Sequence, residues 1–543
     1  MAKTLKDLIK KHKVYFLIDE GMISSTDGDA FIIPNKRRVD EFGYSVSCRI
    51  GLRAIDGNVF VFDGLCAIKT QKNLFKFISS VIGEGSYQLP VEEINLPFKC
   101  LFVDAKSYSL VRRAVGAQRG AALLRALNDM ATTTTSASRN WSELNADPIY
   151  SLAMLRSSES FFAYRRGARM LSGLQEESDD SQKPFKVVLK GIGPSYTFDF
   201  KFEEANLLRG RIAVLIGKNG CGKTSSLAKI SRALIDAHSR LATVFEKPEL
   251  NQVIVFIHTS SVKDFTSSSK EGAARARVFT FNPGAPIKAN SDSMAVLLVD
   301  VARSHDINGP LLTHFSKILK EEFPDFEMRV PVRVECDGAR PKVEYVPFDV
   351  WSNGSEQVIL ENSSKVDTGF PLEFFDSAGA RRKLSLGQSC FLRFVLTALS
   401  NAGPASVLII DEPENFLHPN LISRFMRTLN RILEGTRSIA IVATHSPFVV
   451  REVQSAHVHV MGVESGECVV KKPLVQTLGA SISTISNEVF GDDLPNHLYD
   501  ELLDRAELNS QSFEEALDRY ASELSVPALM TLRLKMEAKI AKN

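Results

Sequence analysis

A glycine-rich segment constrains the fold more than any other feature of the chain. Residues 217–224 read GKNGCGKT, follow the apolar run RIAVLI and precede a stretch with helical periodicity. Closely spaced glycines let backbone N–H groups curl around phosphate oxygens, and the start of a helix adds partial positive charge. A buried strand, this loop and a helix together form the Walker A context. The sequence therefore predicts an α/β domain that binds a nucleotide here.

The chemistry of the loop residues assigns their roles. Lys223 supplies the cation that reaches the β- and γ-phosphates, and the Thr224 hydroxyl is a ligand for Mg²⁺. The predicted ligands are therefore ATP and Mg²⁺. The residues expected to contact the nucleotide are Gly217, Lys218, Asn219, Gly220, Cys221, Gly222, Lys223, Thr224 and Ser225.

A second motif supplies carboxylates. Residues 407–413 read VLIIDEP, an apolar strand that ends in two acidic residues. We expect Asp411 to hold Mg²⁺ and Glu412 to polarise the attacking water as a general base. An apolar strand ending in Asp-Glu is a weak signal alone, and it becomes a Walker B motif because a Walker A motif precedes it.

A third motif, LSLGQ at residues 384–388, begins a predicted helix. It resembles the LSGGQ signature of ABC-type ATPases, with Leu386 in place of the first glycine. In that family the signature of one subunit caps the γ-phosphate held by the Walker A motif of the other. The resemblance implies this role for Ser385, Gly387 and Gln388, and it implies a homodimer or higher oligomer with composite sites. The alternative for Ser385 is an ordinary helix N-cap.

Two further segments match the same family. Residues 444–447, THSP, follow the apolar run SIAIVA and resemble the switch region, which implies that His445 contacts the γ-phosphate. Residues 411–419, DEPENFLHP, resemble the Walker B and D-loop segment of the subgroup with SMC-like and overcoming-lysogenisation ATPases. His418 falls where transporters carry the D-loop aspartate.

Two family features have no clear match. The Q-loop glutamine stays unassigned, because Gln252 precedes the strand VIVFIHTS instead of ending it. For the ring that stacks on adenine, Tyr196 is the first candidate. Phe198 and Phe200 compete with it, and a role in the core is equally compatible with the pattern.

Changes in the sequence pattern along the chain indicate its organisation. The predicted fold class is α/β: an ABC-type P-loop NTPase head with a mixed sheet flanked by helices, an α+β N-terminal region and a helical C-terminal tail. Within the N-terminal region, Asp56-Gly57-Asn58 separates two strands of a hairpin, and one helix is expected over 109–129. The predicted boundaries are 1–174 for the N-terminal region, 175–184 for a linker, 185–497 for the head with a compact insertion at about 260–380, and 498–543 for the tail.

The N-terminal region permits two interpretations. It is either a separate recognition module or a set of strands that completes the head's own sheet. Its basic residues fit solvated helix faces, or contact with nucleic acid or an acidic partner. These residues are Arg112, Arg113, Arg119, Arg125, Arg156, Arg165, Arg166 and Arg169.

Bulk properties exclude several classes of protein. The formal net charge of +2 favours neither a nucleic-acid binder nor a membrane-surface protein. The seven cysteines are odd in number and never in CxxC spacing, which is typical of free thiols in a reducing compartment. No apolar run approaches the roughly 18 residues of a membrane helix. We expect a cytoplasmic protein with no membrane partner.

The spacing of the motifs narrows the ABC-type class. No sustained heptads separate Walker A from the signature, unlike SMC-type repair ATPases, and no Toprim-like acidic motif follows His445. Over residues 185–490 the chain resembles the PtuA family of Septu antiphage systems. That resemblance implies a regulatory ATPase that works with a PtuB-like HNH nuclease. In retron forms it also implies a reverse transcriptase with its RNA-linked DNA. The protein would then contact nucleic acid through the complex. The alternative is a RecF- or SMC-like DNA repair ATPase, and a weaker one is an ATP-binding scaffold.

Overall fold

The fold is described from a computed structural model of the chain. The residues described are 12–36, 43–82, 86–133, 149–173, 183–190, 195–202, 210–236, 242–248, 250, 252–258, 262–265, 276–281, 293–306, 309–334, 342–490, 498–510 and 512–540. Most of the predicted linker, residues 175–182, lies outside this set. The chain divides into two compact units, Met1–Gly479 and Ala480–Asn543.

The N-terminal region contains a six-stranded sheet with the strand order β5-β1-β2-β3-β4-β6. Its strands are β1 (Val14–Leu17), β2 (Ala30–Pro34), β3 (Ser47–Arg53), β4 (Val59–Ile68), β5 (Gln88–Pro90) and β6 (Phe98–Phe102). The predicted hairpin is confirmed, since β3 pairs antiparallel with β4 across the turn at Gly57. None of these strands joins the sheet that carries the Walker A motif, although the region belongs to the same compact unit.

Helices cover the N-terminal sheet. They are α1 (Leu74–Val81), α2 (Lys106–Val115), α3 (Ala117–Ala126), α4 (Met130–Thr133), a π-helix (Ile149–Met154) and α5 (Ser158–Ser172). The single helix expected over 109–129 is wrong. Gly116 separates α2 from α3 with φ +87° and ψ 147°, a conformation that interrupts helical hydrogen bonding and suits only glycine.

The rest of the first unit contains sixteen more strands and nine α-helices within the described residues. The strands are β7 (Phe185–Leu189), β8 (Tyr196–Phe200), β9 (Ile212–Gly217), β10 (Ala242–Phe245), β11 (Gln252–Ile257), β12 (Ala276–Thr280), β13 (His305–Asp306), β14 (Gly309–Pro310), β15 (Glu327–Val334), β16 (Lys342–Pro347), β17 (Glu373–Phe375), β18 (Arg381–Arg382), β19 (Ser406–Asp411), β20 (Ile439–Thr444), β21 (Val458–Glu464) and β22 (Glu467–Lys471). The helices are α6 (Lys223–Ile235), α7 (Val262–Phe265), α8 (Met294–Ala302), α9 (Leu311–Glu322), α10 (Phe348–Trp351), α11 (Glu356–Ser364), α12 (Leu386–Asn401), α13 (Pro419–Thr436) and α14 (Pro447–Val450).

The head is built on a seven-stranded sheet with the order β12-β11-β19-β20-β9-β21-β22. All neighbours are parallel except the β21–β22 hairpin, so the sheet is mixed as predicted. Strands β9, β11, β19 and β20 are buried at every residue. Strands that are buried on both faces need a covering layer on each side. The fold class is therefore the predicted α/β P-loop NTPase head.

Two layers cover the head sheet. On one side α6 packs through Leu227, Ile230 and Leu234, together with the antiparallel sheet β10-β7-β8. On the other side the ring of Phe394 on α12 lies 4.8 Å from Phe256 and 4.6 Å from Phe425, measured between centroids. Both faces of the sheet are thereby covered.

The insertion in the head carries its own four-stranded sheet, β16-β15-β17-β18, with helices α8 to α11. Within this sheet β15 pairs antiparallel with β16. At the end of α9 the buried carboxylate of Glu322 meets Arg424 and Arg427 of α13. The N-terminal region also contacts the insertion, because Arg303 donates to the Leu155 carbonyl and its guanidinium lies 4.5 Å from the Phe161 ring.

The second unit is helical, as predicted for the tail. Its helices are α15 (Ile482–Phe490), α16 (Leu498–Leu508), α17 (Phe513–Tyr520) and α18 (Val526–Ile540). Its small core contains Leu503, Ala516 and Leu532. The unit begins at Ala480, whereas the sequence places the start of the tail at residue 498. None of the helices in the described part of the chain is both long and apolar enough to cross a membrane.

Candidate nucleotide site

Three neighbouring parallel strands bring the sequence motifs to one edge of the head sheet. Strand β9 leads into the Walker A loop, and β20 lies between β9 and β19. The register places Thr444 opposite Ile216 and Asp411 opposite Ala443. Because parallel strands end at the same edge, the loop, the acidic pair and the switch region converge there.

The Walker A loop has the backbone that its glycines require. Gly220 and Gly222 adopt φ +82° and +92°, in the region that favours glycine. A Cβ on Gly217 would stand 2.3 Å from the carbonyl oxygen of Met461, so only glycine fits there. Gly222 precedes α6 and offers no side-chain cap, which leaves the first N–H groups of that helix for an anion.

Lys223 points back over this loop. The residue is 4% exposed, and its Nζ donates hydrogen bonds to the carbonyl oxygens of Gly217 at 3.0 Å and Lys218 at 3.2 Å. An ammonium group held in this way is a point charge inside the curve of the loop. It can neutralise phosphate oxygens that bind to the same N–H groups.

Thr224 and Asp411 meet beside the loop. The Thr224 hydroxyl lies 3.1 Å and 3.0 Å from the two carboxylate oxygens of Asp411. Burial, with help from the nearby Glu412 and Glu414 carboxylates, raises the pKa of Asp411 to about 6, while the Thr224 hydrogen bond and Lys223 lower it. A buried carboxylate among other carboxylates is stabilised by a cation.

This donor set fits Mg²⁺. A hydroxyl and a carboxylate are hard oxygen ligands, and Mg²⁺ is usually held by one or two protein oxygens together with water and substrate phosphates. The described residues contain no cluster of three or more His, Cys, Asp or Glu side chains suited to enclose a metal. Thr224 and Asp411 would hold the ion.

Glu412 has an uncommon backbone for a residue with a side chain. Its φ of +47° and ψ of 59° are left-handed. Its N–H donates to the Ala443 carbonyl at 2.8 Å, and its carbonyl oxygen lies 2.8 Å from His258 Nε2. Asn415 Nδ2 donates to Glu412 Oε2 at 3.0 Å. Backbone and carboxylate are therefore both fixed by neighbours.

His445 lies beside two carboxylates. Its Nδ1 is 3.2 Å from Glu414 Oε1 and 3.8 Å from Glu412 Oε1. Glu414 Oε1 also accepts hydrogen bonds from Thr444 Oγ1 at 2.5 Å and from the His445 N–H at 2.7 Å. The predicted base and the predicted switch residue are thus adjacent.

The signature begins α12 as an N-cap. Ser385 Oγ accepts from the Gln388 N–H at 3.2 Å, and the Ser385 N–H donates to Gln388 Oε1 at 2.9 Å, which makes a capping box. Leu386 is 54% exposed at this helix start. Within the described residues, no hydrogen bond or ion pair joins Ser385 or Gln388 to the Walker A loop of the same chain.

The candidates for the adenine-stacking ring and for the Q-loop glutamine lie in different environments. Phe198 and Phe200 are fully buried core residues, so neither ring is free to stack on a base. Tyr196 is half-buried, and its hydroxyl lies 3.0 Å from Ser226 Oγ. Gln252 lies at the amino end of β11, where its amide donates to Ser406 Oγ at 2.9 Å, away from the site edge.

Three residues of the site were not assigned from the sequence. His258 directly follows β11, and burial lowers its pKa. Glu414 and Asn415 follow the Walker B pair. The signal for Glu414 and Asn415 was the polar run DEPEN after a buried strand, and for His258 a polar residue at the end of VIVFIHTS. Their contacts join segments that are distant in sequence.

The N-terminal arginines do not share one environment. Arg119 binds other residues of the N-terminal region: its Nη2 lies 2.9 Å from Asp29 Oδ1, and its Nε donates to the Arg53 carbonyl at 2.9 Å. The guanidinium of Arg166 lies over the Phe162 ring at 4.3 Å. The exposed members are Arg112, Arg113, Arg125 and Arg156. The side chains of Arg165 and Arg169 lie outside the described set.

Comparisons with known proteins agree with the site at the level of the P-loop domain. Residues 373–451 match a family described as AAA domain, putative AbiEii toxin, Type IV TA system. Protein ea59 of Escherichia phage lambda is 23% identical over 433 residues, covering 76% of this chain and 78% of that protein. The matched segment spans the signature, Walker B and switch motifs.

Two solved structures match this chain over part of its length. The SMC head domain from Thermotoga maritima is 12% identical, with a TM-score of 0.28, and covers 54% of this chain and 100% of that one. UvrA2 from Deinococcus radiodurans is 16% identical, with a TM-score of 0.29, and covers 60% of this chain and 41% of that one.

Proposed function

We propose that this protein is an ATPase that binds ATP with Mg²⁺ at the Walker A loop and hydrolyses it to ADP and phosphate. One observation carries the proposal. The Thr224 hydroxyl and the buried Asp411 carboxylate meet at 3.0 Å beside a glycine loop whose helix start is uncapped. A purely structural loop has no need of a buried carboxylate at its mouth.

Each residue has a role in this reaction. The N–H groups of the loop and Lys223 bind the phosphates, and Mg²⁺ held by Thr224 and Asp411 neutralises charge that develops on them. Glu412 accepts the proton of the attacking water, and Asn415 orients its carboxylate. His445 donates a hydrogen bond to the γ-phosphate. The placed base argues against a scaffold that only binds ATP.

We further propose that two copies of the chain complete each site. Ser385 is a helix N-cap with no bond to its own Walker A loop among the described residues, and the neighbouring Leu386 is exposed. A second copy that presents this helix start would add N–H groups and a hydroxyl to the γ-phosphate. The capping box is compatible with that role, because the Ser385 hydroxyl keeps its proton to donate.

The proposal of a biological partner for this ATPase rests on sequence resemblance alone. An antiphage role with a PtuB-like HNH nuclease and, in retron form, a reverse transcriptase is proposed on that basis, and the comparisons do not support it. The alternative is a RecF- or SMC-like role in DNA maintenance. Turnover measured with and without duplex DNA ends tests that alternative, which requires stimulation by DNA alone.

The ATPase proposal is tested with Glu412→Gln. The amide fills the same space but cannot accept the proton, so the Kd for ATP should stay within about threefold while kcat falls by roughly a hundredfold or more. Calorimetry measures binding and phosphate release measures turnover. Glu434→Gln, an exposed change on α13, is the matched control and should leave both values unchanged. Native turnover in Glu412→Gln would remove Glu412 from its role.

A further inference from the structure

Glu414 concentrates three contacts on one carboxylate oxygen. Its side chain is 7% exposed and lies in the 3₁₀ turn Pro413–Phe416. Oε1 accepts from Thr444 Oγ1 and from the His445 N–H, and it lies 3.2 Å from His445 Nδ1. The strand end that carries the switch histidine is therefore fixed to the turn after Walker B through both backbone and side chain.

The ring of His445 lies beside the same carboxylate. Its Nδ1 is 3.2 Å from Glu414 Oε1 but makes no hydrogen bond within the described residues, and Glu412 Oε1 is farther away at 3.8 Å. The hydrogen bonds that fix this segment to Glu414 are therefore those of the Thr444 hydroxyl and of the His445 backbone N–H. They determine where the ring can lie.

We propose that Glu414 is a positioning residue that holds His445, through the Thr444 hydroxyl and the His445 backbone N–H, where its ring can reach the γ-phosphate of bound ATP. This inference rests on the proposed ATPase function. It goes beyond it because it gives Glu414 a function: the carboxylate sets the orientation of the switch residue without touching the nucleotide.

The same turn links the switch to the base. Glu412 is the N-cap of the 3₁₀ turn that carries Glu414, and Asn415 of that turn donates to the Glu412 carboxylate. A change in the position of His445 on loss of the γ-phosphate therefore acts on the element that orients Glu412. Glu414 is the side chain that joins the two.

A double-mutant cycle tests this role in the full-length protein. Glu414→Ala should lower kcat by about tenfold to a hundredfold, with the Kd for ATP nearly unchanged because Lys223 and Thr224 remain. The double variant Glu414→Ala/His445→Ala should be no slower than His445→Ala, since Glu414 acts only through His445. Glu322→Ala removes another buried carboxylate, one that pairs with Arg424 and Arg427 of α13 and not with a motif residue, and should leave kcat unchanged.

Two results would overturn the proposal. The first is multiplication of the two single effects in the double variant, which would mean that Glu414 supports the fold independently of His445. The second comes from the imidazole NMR signal of His445, identified as the signal lost in His445→Gln. Glu414→Ala should shift or broaden that signal because the ring loses its fixed position, and an unchanged signal contradicts the proposal.

The two readouts separate the inference from the function beneath it. If the wild-type chain turns over no ATP, the ATPase proposal fails and the NMR signal of His445 alone decides the role of Glu414. Glu414→Gln serves where the alanine variant does not fold, because its amide oxygen can accept from Thr444 and from the His445 N–H. Its kcat should lie between those of the wild type and of Glu414→Ala, and a kcat as high as the wild type's would contradict the need for a carboxylate.

Discussion

At the scale of single residues, the site stores strain where its proposed base lies. Glu412 adopts a left-handed backbone that costs a residue with a side chain about 1–3 kcal/mol. The Ala443 carbonyl, the His258 ring and the Asn415 amide hold it there. Such a conformation lets one strand end present Asp411 to the Walker A threonine while Glu412 turns toward the switch histidine.

The buried Asp411 carboxylate makes a pH-dependent prediction. Its folded-state pKa of about 6 exceeds the ordinary value of 3.8, so its stabilising contribution is present below that ordinary value and is lost as pH rises toward 6. Asp411→Asn removes the charge. Without Mg²⁺ and nucleotide, the variant should be more stable than the wild type at pH 7 by up to about 3 kcal/mol.

Thermal melts between pH 4 and pH 7 measure this difference. It should shrink as pH falls toward 4, where the folded-state carboxyl is protonated and the unfolded-state carboxyl is about half protonated. An exposed counterpart, Asp325→Asn, should show no such trend. A variant that is less stable than the wild type at pH 7 would contradict the assignment of a charge destabilised by burial.

Contacts between residues also show which parts of the site could be predicted from the sequence. Lys223, Thr224, Asp411, Glu412 and His445 were assigned because each belongs to a short motif beside an apolar strand. The contacts of His258 with Glu412 and of Glu414 with His445 join different strands, and they depend on the order β11-β19-β20 in the sheet. Strand order is a tertiary property that local periodicity does not encode.

At the scale of elements, the same limit appears in the N-terminal region. The β3–β4 hairpin follows from a local turn signal and is correct. The single helix expected over 109–129 is wrong, because Gly116 takes a conformation that only glycine favours. Helical periodicity on both sides of Gly116 concealed the break, since α2 and α3 both pack apolar residues such as Val111 and Leu124 into the same region.

The break at Gly116 is testable by substitution. A Cβ there meets no atom within 4 Å, so Gly116→Ala should lose about 1–3 kcal/mol of unfolding free energy through backbone strain alone. Gly462 in β21 also has open space but an unstrained φ, and Gly462→Ala should change stability by less than about 1 kcal/mol. Denaturant unfolding compares the two variants, and equal effects would contradict a glycine-specific break.

At the scale of the whole molecule, the first unit holds only part of the proposed catalytic centre. The Walker A, Walker B and switch residues meet at one sheet edge, whereas Ser385 caps α12 with no bond to that edge within the described chain. If a second copy supplies the signature, turnover depends on protein concentration. Each subunit then contributes half of two sites, and a defect in one half can be complemented by the other.

Mixing two inactive chains tests this arrangement. Lys223→Ala destroys the phosphate site of one chain, and Ser385→Arg blocks the signature of the other, so their heterodimer keeps one intact composite site. Turnover should appear on mixing and rise with concentration, to about a quarter of the wild-type rate if the chains pair at random and sites act independently. Mixing Lys223→Ala with a chain that carries both substitutions leaves no intact site and is the matched control. Because each parent chain is inactive alone, activity on mixing can come only from a site shared between two chains, and a silent mixture of well-folded chains would refute the composite site.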